Sequence, residues 1–300
     1  MSPRILGLGE VLWDLLPTGP QLGGAPGNFA CHARALGAEA GVITRVGADD
    51  LGREALRRLE AAGLPRELVQ VDAAAPTGTV TVKLGGAGVP EFTIHEGVAW
   101  DRLEATEAAR AAARRADAVC FGTLAQRSPA AGRAIRELAG LAPAKALRIF
   151  DINLRQHHHS REVIEASLQL ANVLKLNDAE LPVVAAMFAL AGDERAQLAA
   201  LAARFQLRVV AYTRGAEGSW LLAGERWSEC RPAPVKVIDT VGAGDSFTAG
   251  LAVGLLRRLD LDAVHKAAGE IARYVCTQPG ATPPLPAELR APLAGGGAGG

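Results

Sequence analysis

Short apolar runs, each leading through a turn rich in Gly, Asn or Asp into a helical pattern, recur along most of this 300-residue chain. Residues 40–46, 118–121, 147–151, 173–177 and 208–213 read as strands, mostly buried, and residues 5–12 as a buried strand followed by a loop. Residues 28–36, 53–62, 129–139, 194–205 and 261–276 read as helices. Buried strands alternating with helices build a mostly parallel sheet covered on both faces. Hydrophobic residues make up 49% of the chain and aromatic residues only 4%, so the core must be mostly Ala, Leu and Val. The length suits one large α/β domain, which we place at residues 1–290. The Gly-rich end, residues 291–300, is expected to be disordered.

One stretch interrupts the alternation. Residues 79–84 and 91–94 alternate apolar and polar side chains around Gly85-Gly86-Ala87-Gly88, the pattern of a β-hairpin. A hairpin between strand–helix units suggests a small β appendage, serving as a lid over a cleft, a solvent-facing edge or a dimer contact. The 32 basic residues balance the 32 acidic ones, so neither nucleic acid nor an anionic membrane is an expected partner. No apolar run approaches the ~18 residues of a membrane-spanning helix. The four cysteines lie apart and the N-terminus has no leader pattern, so we expect a cytoplasmic protein with free thiols.

The stretch richest in chemistry is Asp239-Thr240-Val241-Gly242-Ala243-Gly244-Asp245-Ser246-Phe247. It follows a β-like segment, residues 235–238, and opens a helical pattern running to about residue 256. Glycines at a helix start let backbone N–H groups close on an anion, favoured there by the helix dipole. Asp245 would then be a carboxylate held beside that anion, the arrangement phosphoryl transfer needs. The same residues also fit a Gly-rich turn with Asp245 as an ordinary first-turn acid.

Other candidates carry similar pairs of readings. Gly7 and Gly9 invite a dinucleotide-binding motif, but its third glycine would fall at Leu12. Asp14 lies just past a strand end, as a ligand contact or a turn acceptor. Three glycines and a proline precede Asn28, which could hydrogen-bond a sugar hydroxyl or cap a helix. Asp151, Asn153 and Arg155 would share one side if strand geometry persisted. His157-His158-His159 reads as a solvated loop, since consecutive histidines do not readily converge on one metal. Asn177 and Glu180 fit an ion held with its waters or, better, a capping box. Thr213 to Gly218 is a nucleotide-pocket wall or a turn between strands. Asp49 and Asp50 read as helix caps. Trp13, Phe92, His95 and Trp100 shape a pocket or fill the core.

Neither a Walker A sequence nor the protein-kinase motif set is present. Five motifs in order do carry a resemblance: residues 23–28, 46–52, 151–155, 177–180 and 239–247. On these the chain resembles the ribokinase-like (PfkB) carbohydrate kinases, most of all their fructokinase branch. The resemblance implies a three-layer α/β/α ribokinase-like fold, with a mostly parallel central sheet and a small β-sheet lid near residues 11–20 and 77–100. It implies ATP-dependent phosphorylation of a free sugar, fructose first, with ribose, 2-keto-3-deoxygluconate or a nucleoside as other substrates. A catalytically silent sugar-binding regulator is the reading from another class. By the same resemblance Asp245 is the base, and the N–H groups of Gly242, Ala243 and Gly244 form the anion hole. Asp14, Gly24, Asn28 and Asn153 would face the sugar. Asn177 and Glu180 would act through water on Mg²⁺ and the ATP phosphates, while Thr213, Gly215 and Gly218 would line the nucleotide pocket. Many members also bind a monovalent cation such as K⁺, for which we would look near Asp239. Arg214 departs from the small, apolar or Lys residues of relatives. A homodimer through the lid is expected, as are an ionised Asp245 at neutral pH and a Gly244→Ala methyl that crowds the phosphate.

Overall fold

In chain order the strands are β1 (Arg4–Leu8), β2 (Leu12–Leu16), β3 (Gly19–Gly23), β4 (Glu39–Gly47), β5 (Val69–Asp72), β6 (Gly78–Leu84) and β7 (Pro90–Ile94). They continue with β8 (Ala118–Phe121), β9 (Leu147–Asp151), β10 (Val173–Asn177), β11 (Val209–Thr213), β12 (Ser219–Ala223) and β13 (Arg226–Cys230). The structure, a computed structural model, describes residues 2–84 and 90–294. The expected turn at Gly85–Gly88 and the last six residues of the Gly-rich end lie outside the described residues.

Nine strands form one sheet in the order β13-β12-β11-β10-β9-β8-β1-β4-β5. Seven of them, from β11 to β5, pair in parallel, and β12 and β13 add an antiparallel edge. Successive strand residues feed two separate cores. Leu6, Leu8, Phe150 and Leu176 join one, and Ile5, Val42, Ile149 and Val173 join the other. Helices including Pro129–Leu141 and Glu180–Phe188 cover the first face; Ala25–Ala35, Ala243–Leu256 and Leu261–Val275 cover the second. This is the expected three-layer α/β/α arrangement around a mostly parallel sheet. No helix among the described residues is long and apolar enough to cross a membrane.

The remaining strands form a separate sheet, β3-β2-β6-β7, in which β6 and β7 are the expected antiparallel hairpin. Trp13 of β2 is buried and donates to the Leu51 carbonyl at 3.0 Å. Trp100 is fully buried beneath the Arg127 guanidinium, 3.9 Å from its ring centre. Both tryptophans therefore belong to the core, while Phe92 and His95 are exposed. Asp49 caps the helix Asp50–Ala61 through Gly52 N and also accepts from Thr77 N and Oγ1, tying that helix to the start of β6.

Three local expectations change. Asp14 lies inside β2, in register with Gln21 and Val80, because the chain re-enters a strand at Leu12. Residues 235–238 form no strand: Pro232 and Pro234 remove backbone donors just upstream, and Val237 and Ile238 are exposed. The first helix begins at Ala25 rather than Asn28, because Gly24 adopts φ +106° at its N-cap and Pro26 suits the first turn.

Helices Ala243–Leu256 and Leu261–Val275 approach closely because glycine faces alanine between them. A Cβ built on Gly250 would come within 3.1 Å of the Ala268 Cα. Gly250→Val should force the helices apart and cost ~1–3 kcal/mol by overpacking. Urea denaturation would measure this, and an unchanged midpoint would disprove the packing account.

Candidate active site

The end of β9, the middle of β10 and the first turns of helices Ala25–Ala35 and Ala243–Leu256 meet in one place. Gly242 is the N-cap of the second helix at φ +79°, and an added Cβ would lie 2.2 Å from the Ala281 carbonyl oxygen. Only glycine fits both constraints. The first helical bond runs from Ser246 N to Gly242 O at 2.8 Å. Ahead of it, the N–H groups of Gly242, Gly244 and Asp245 have no acceptor among the described residues, whereas Ala243 N reaches the Thr240 carbonyl at 3.3 Å. The free donor set thus differs by one from the expected trio, with Asp245 N in place of Ala243 N. Three free donors at a helix N-terminus form a ready anion site.

Asp245 Oδ2 accepts a 2.8 Å hydrogen bond from Asn28 Nδ2, across 217 residues of sequence. Asn28 is buried inside its helix and Gly24 holds the cap, so the capping role for Asn28 falls away. Desolvation pushes the Asp245 carboxyl up to about 6 and the charge on Asp151 adds to it, while the Asn28 bond, Lys175 and Arg155 oppose the rise. Asp245 is therefore ionised at neutral pH, but by a narrower margin than an acid beside a helix N-terminus suggests.

Beneath this turn lies a buried ion pair, Lys175 Nζ to Asp151 Oδ1 at 3.0 Å. Thr248 Oγ1, on the helix itself, sits 3.1 Å from Asp151 Oδ2 and 2.9 Å from the Gly244 carbonyl. Burial opposes the charge on Lys175, but Asp151, Glu180 and Asp245 outweigh it and hold the ammonium above its usual range. A Cβ on Gly244 would stand 3.0 Å from Lys175 Nζ, so a methyl there would press on this ammonium.

Sequence reasoning missed two charged groups here. Lys175 is the one charge in the run Val173-Leu174-Lys175-Leu176, and that isolation was its available signal. Glu10 lies just past β1, is 3% exposed and has no partner for Oε2 among the described residues. Burial pushes its carboxyl up to about 7, with Asp245 adding and Arg155 opposing. Its position past a strand end was the same signal that singled out Asp14. The Asp14 carboxyl is also raised by burial, against the pull of Arg155.

The alternation expected for Asp151, Asn153 and Arg155 does not survive. Asn153 takes φ +48°, which turns the chain off the strand direction. Asp151 points inward to Lys175, and Asp151, Asn153 and Asp245 all line one small enclosed pocket. Asn177 and Glu180 form the capping box: Asn177 Oδ1 accepts from Glu180 N at 2.9 Å, and Glu180 Oε2 accepts from Asn177 N at 2.8 Å. Glu180 Oε1 accepts from Leu154 N at 2.9 Å, so both oxygens are engaged. A metal held through water leaves these bonds intact, and the residues present fit Mg²⁺ in that way.

Thr213, Gly215 and Gly218 line a cavity of about 410 Å³ that runs to Ala243 and Gly244 past Pro232, Pro234 and Val237. A Cβ on Gly218 would lie 2.1 Å from the Cys230 carbonyl oxygen. The largely apolar walls, ending at free backbone donors, suit a flat heteroaromatic group attached to phosphates. Residues 213–219 also make the turn joining β11 to β12, which is the turn reading of the sequence. Arg214 turns aside, its guanidinium 4.0 Å from the Trp220 ring centre. Asp239 accepts from Val241 N at 3.0 Å and Gly280 N at 3.1 Å, with no side-chain cation against it among the described residues. An acid tied only by neutral donors fits a monovalent cation held beside it. The histidine run departs from a solvated loop: His158 is buried and only His157 is fully exposed.

Removing one partner of the Asp151–Lys175 pair strands the other. Lys175→Met should cost ~3–5 kcal/mol in urea denaturation, with most of the loss recovered in the Asp151→Leu/Lys175→Met double variant. A single variant as stable as the parent would mean that the pair does not support the turn above it.

A family model for pfkB family carbohydrate kinases matches residues 19–288. A fructokinase of Klebsiella pneumoniae is 32% identical over 266 residues, covering 85% of each chain. The structure of a Xylella fastidiosa fructokinase with bound ATP superposes with a TM-score of 0.86 at 21% identity, covering 98% of both chains. A Vibrio cholerae fructokinase double mutant, bound to fructose, ADP and potassium, superposes with a TM-score of 0.76 at 25% identity over 97% of this chain and 98% of that one.

Proposed function

We propose that this chain, which belongs to the pfkB family of carbohydrate kinases, transfers the γ-phosphoryl group of ATP to a hydroxyl of a free sugar, fructose first among them. The observation that carries the reading is Asp245, held by Asn28 at 2.8 Å beside three N–H donors with no acceptor among the described residues. Fructose is favoured by the fructokinase relatives and by the fructose bound to the Vibrio cholerae protein.

In this reading Asp245 takes the proton from the attacking sugar hydroxyl as the new O–P bond forms. The bond from the γ-phosphorus to the bridging oxygen breaks, and ADP leaves with that oxygen. The transferred group spreads its charge over its oxygens, so prearranged donors contribute most when aimed at them. Gly242, Gly244 and Asp245 supply such donors from the backbone, with Ala243 free to join by releasing Thr240. Asp14, Gly24, Asn28 and Asn153 orient the sugar, with Glu10 beneath them. Thr213, Gly215 and Gly218 hold the nucleotide base and ribose. Mg²⁺, held through water by Asn177 and Glu180, would screen the phosphate charge, and K⁺ beside Asp239 would support the turn. The sheet β3-β2-β6-β7 acts as the lid, and the described chain works as one kinase domain.

Asp245→Asn should lower kcat by ~10²–10⁴ with a much smaller change in sugar KM, because it removes the base and keeps the shape. A variant retaining more than half the turnover would dismiss Asp245 as base. The pH dependence follows from its raised carboxyl. Below about 6 Asp245 is protonated and cannot accept, so kcat/KM should fall about tenfold per pH unit there and level off above. A profile flat down to pH 5 would contradict the assignment. ADP release across fructose, ribose, 2-keto-3-deoxygluconate and nucleosides tests the substrate. Sugar binding with no ADP from any of them would favour the regulator.

A further inference from the structure

We propose that Glu96, His157 and His158 form a binding site for one borderline divalent metal ion such as Zn²⁺, separate from the phosphoryl-transfer site and joining the end of the small sheet to the loop leaving β9. Glu96 stands two residues past β7, and the two histidines follow β9. His157 Nε2 lies 3.7 Å and His158 Nδ1 3.6 Å from Glu96 Oε1, and the three ligand atoms all lie within 4.8 Å of one another. Those separations are too long for hydrogen bonds. They are close to the ~3.3–3.5 Å between neighbouring ligand atoms that tetrahedral zinc requires at its usual bond lengths.

Adjacent histidines in an extended chain point apart. Here Gln156 takes φ +48° just before them and folds the chain, so the two rings lie tilted at 43° with centres 4.2 Å apart and face the same carboxylate. The His158 side chain is only 4% exposed, which makes it a fixed anchor. Glu96 and His157, at 64% and 79% side-chain exposure, are free to move the last few tenths of an ångström. His158 Nε2 has no partner among the described residues. A cavity of about 500 Å³ opens beside the three groups, giving an ion entry and room for a water ligand.

The donor set selects the class of ion. Two imidazoles and one carboxylate suit Zn²⁺, Co²⁺ or Ni²⁺, whereas Mg²⁺ asks for more oxygen ligands. Arg127, the nearby cation, is paired with Asp101 through bonds of 2.8 and 3.0 Å. Two polar ties already hold the neighbouring backbone: Gln156 Nε2 to the Phe92 carbonyl at 2.5 Å and Arg127 Nη2 to the His95 carbonyl at 2.6 Å. A bound ion adds a stronger tie across the same seam.

The test is titration of the untagged, metal-free protein with Co²⁺, followed by absorption in the visible. One equivalent should give the intense d–d bands of tetrahedral cobalt, bleached by Zn²⁺ and unaffected by millimolar Mg²⁺. Glu96→Gln and His157→Ala, both at exposed positions that leave folding undisturbed, should each weaken binding about tenfold or more. Absence of visible bands would overturn the proposal. So would bands of equal affinity in both variants, or a thiolate-to-cobalt band in the near ultraviolet, which would place the ion on a cysteine.

Discussion

The buried pair between Asp151 and Lys175 is the interaction on which the rest of this site depends. It joins the end of β9 to the middle of β10 at 3.0 Å, in surroundings where neither charge could stand alone. Through Thr248 the same carboxylate reaches helix Ala243–Leu256, and Lys175 lies directly beneath Gly244. The sheet therefore sets the height and angle of the helix whose first turn carries the free N–H donors. A hydrophobic pair could hold these elements together as well, but could not leave a positive charge under a turn suited to phosphate.

The charge balance around that pair explains the raised carboxyls. Glu10, Glu180 and Asp245 are all pushed up, mainly by loss of water, and Lys175 is the one buried cation among them. Arg155 contributes from the exposed side. An acid lifted to about 6 is a better proton acceptor than an ordinary aspartate and is still charged at neutral pH. The same crowding of acids has a structural use, since Glu180 spends its two oxygens on backbone N–H groups of Leu154 and Asn177. One side chain thus clamps the loop after β9 and caps the helix after β10.

Much of the architecture was legible because it follows from period and composition. Buried strands alternating with amphipathic helices leave few alternatives to a parallel sheet with helices on both faces. The hairpin β6–β7 showed in its two-residue alternation, and Asp49 and the Asn177–Glu180 box showed in their spacing. Where the reading slipped, a single backbone angle or a distant partner was responsible. Gly24 at φ +106° moved the helix start and put Asn28 inside, and Asn153 at φ +48° ended the strand alternation. Gln156 at φ +48° precedes a histidine run that looked like a solvated loop and in which His158 turns inward. Prolines 232 and 234 dissolved a strand that apolar residues alone suggested.

The sequence alone determined the fold class, the glycine-flanked turn at residues 242–245 and the family, because each depends on residues close together in the chain. Only the tertiary structure decided that Asn28 serves Asp245, that Lys175 lies under Gly244 and that Glu10 is buried with no partner for Oε2 among the described residues. The Asn28–Asp245 bond spans 217 residues, and no periodicity or local propensity encodes a distance of that kind. The proton affinity of Asp245 was decided in the same way. It depends on how much water the assembled helices exclude and on charges brought in from β9 and β10, and neither exists until the chain has closed around them.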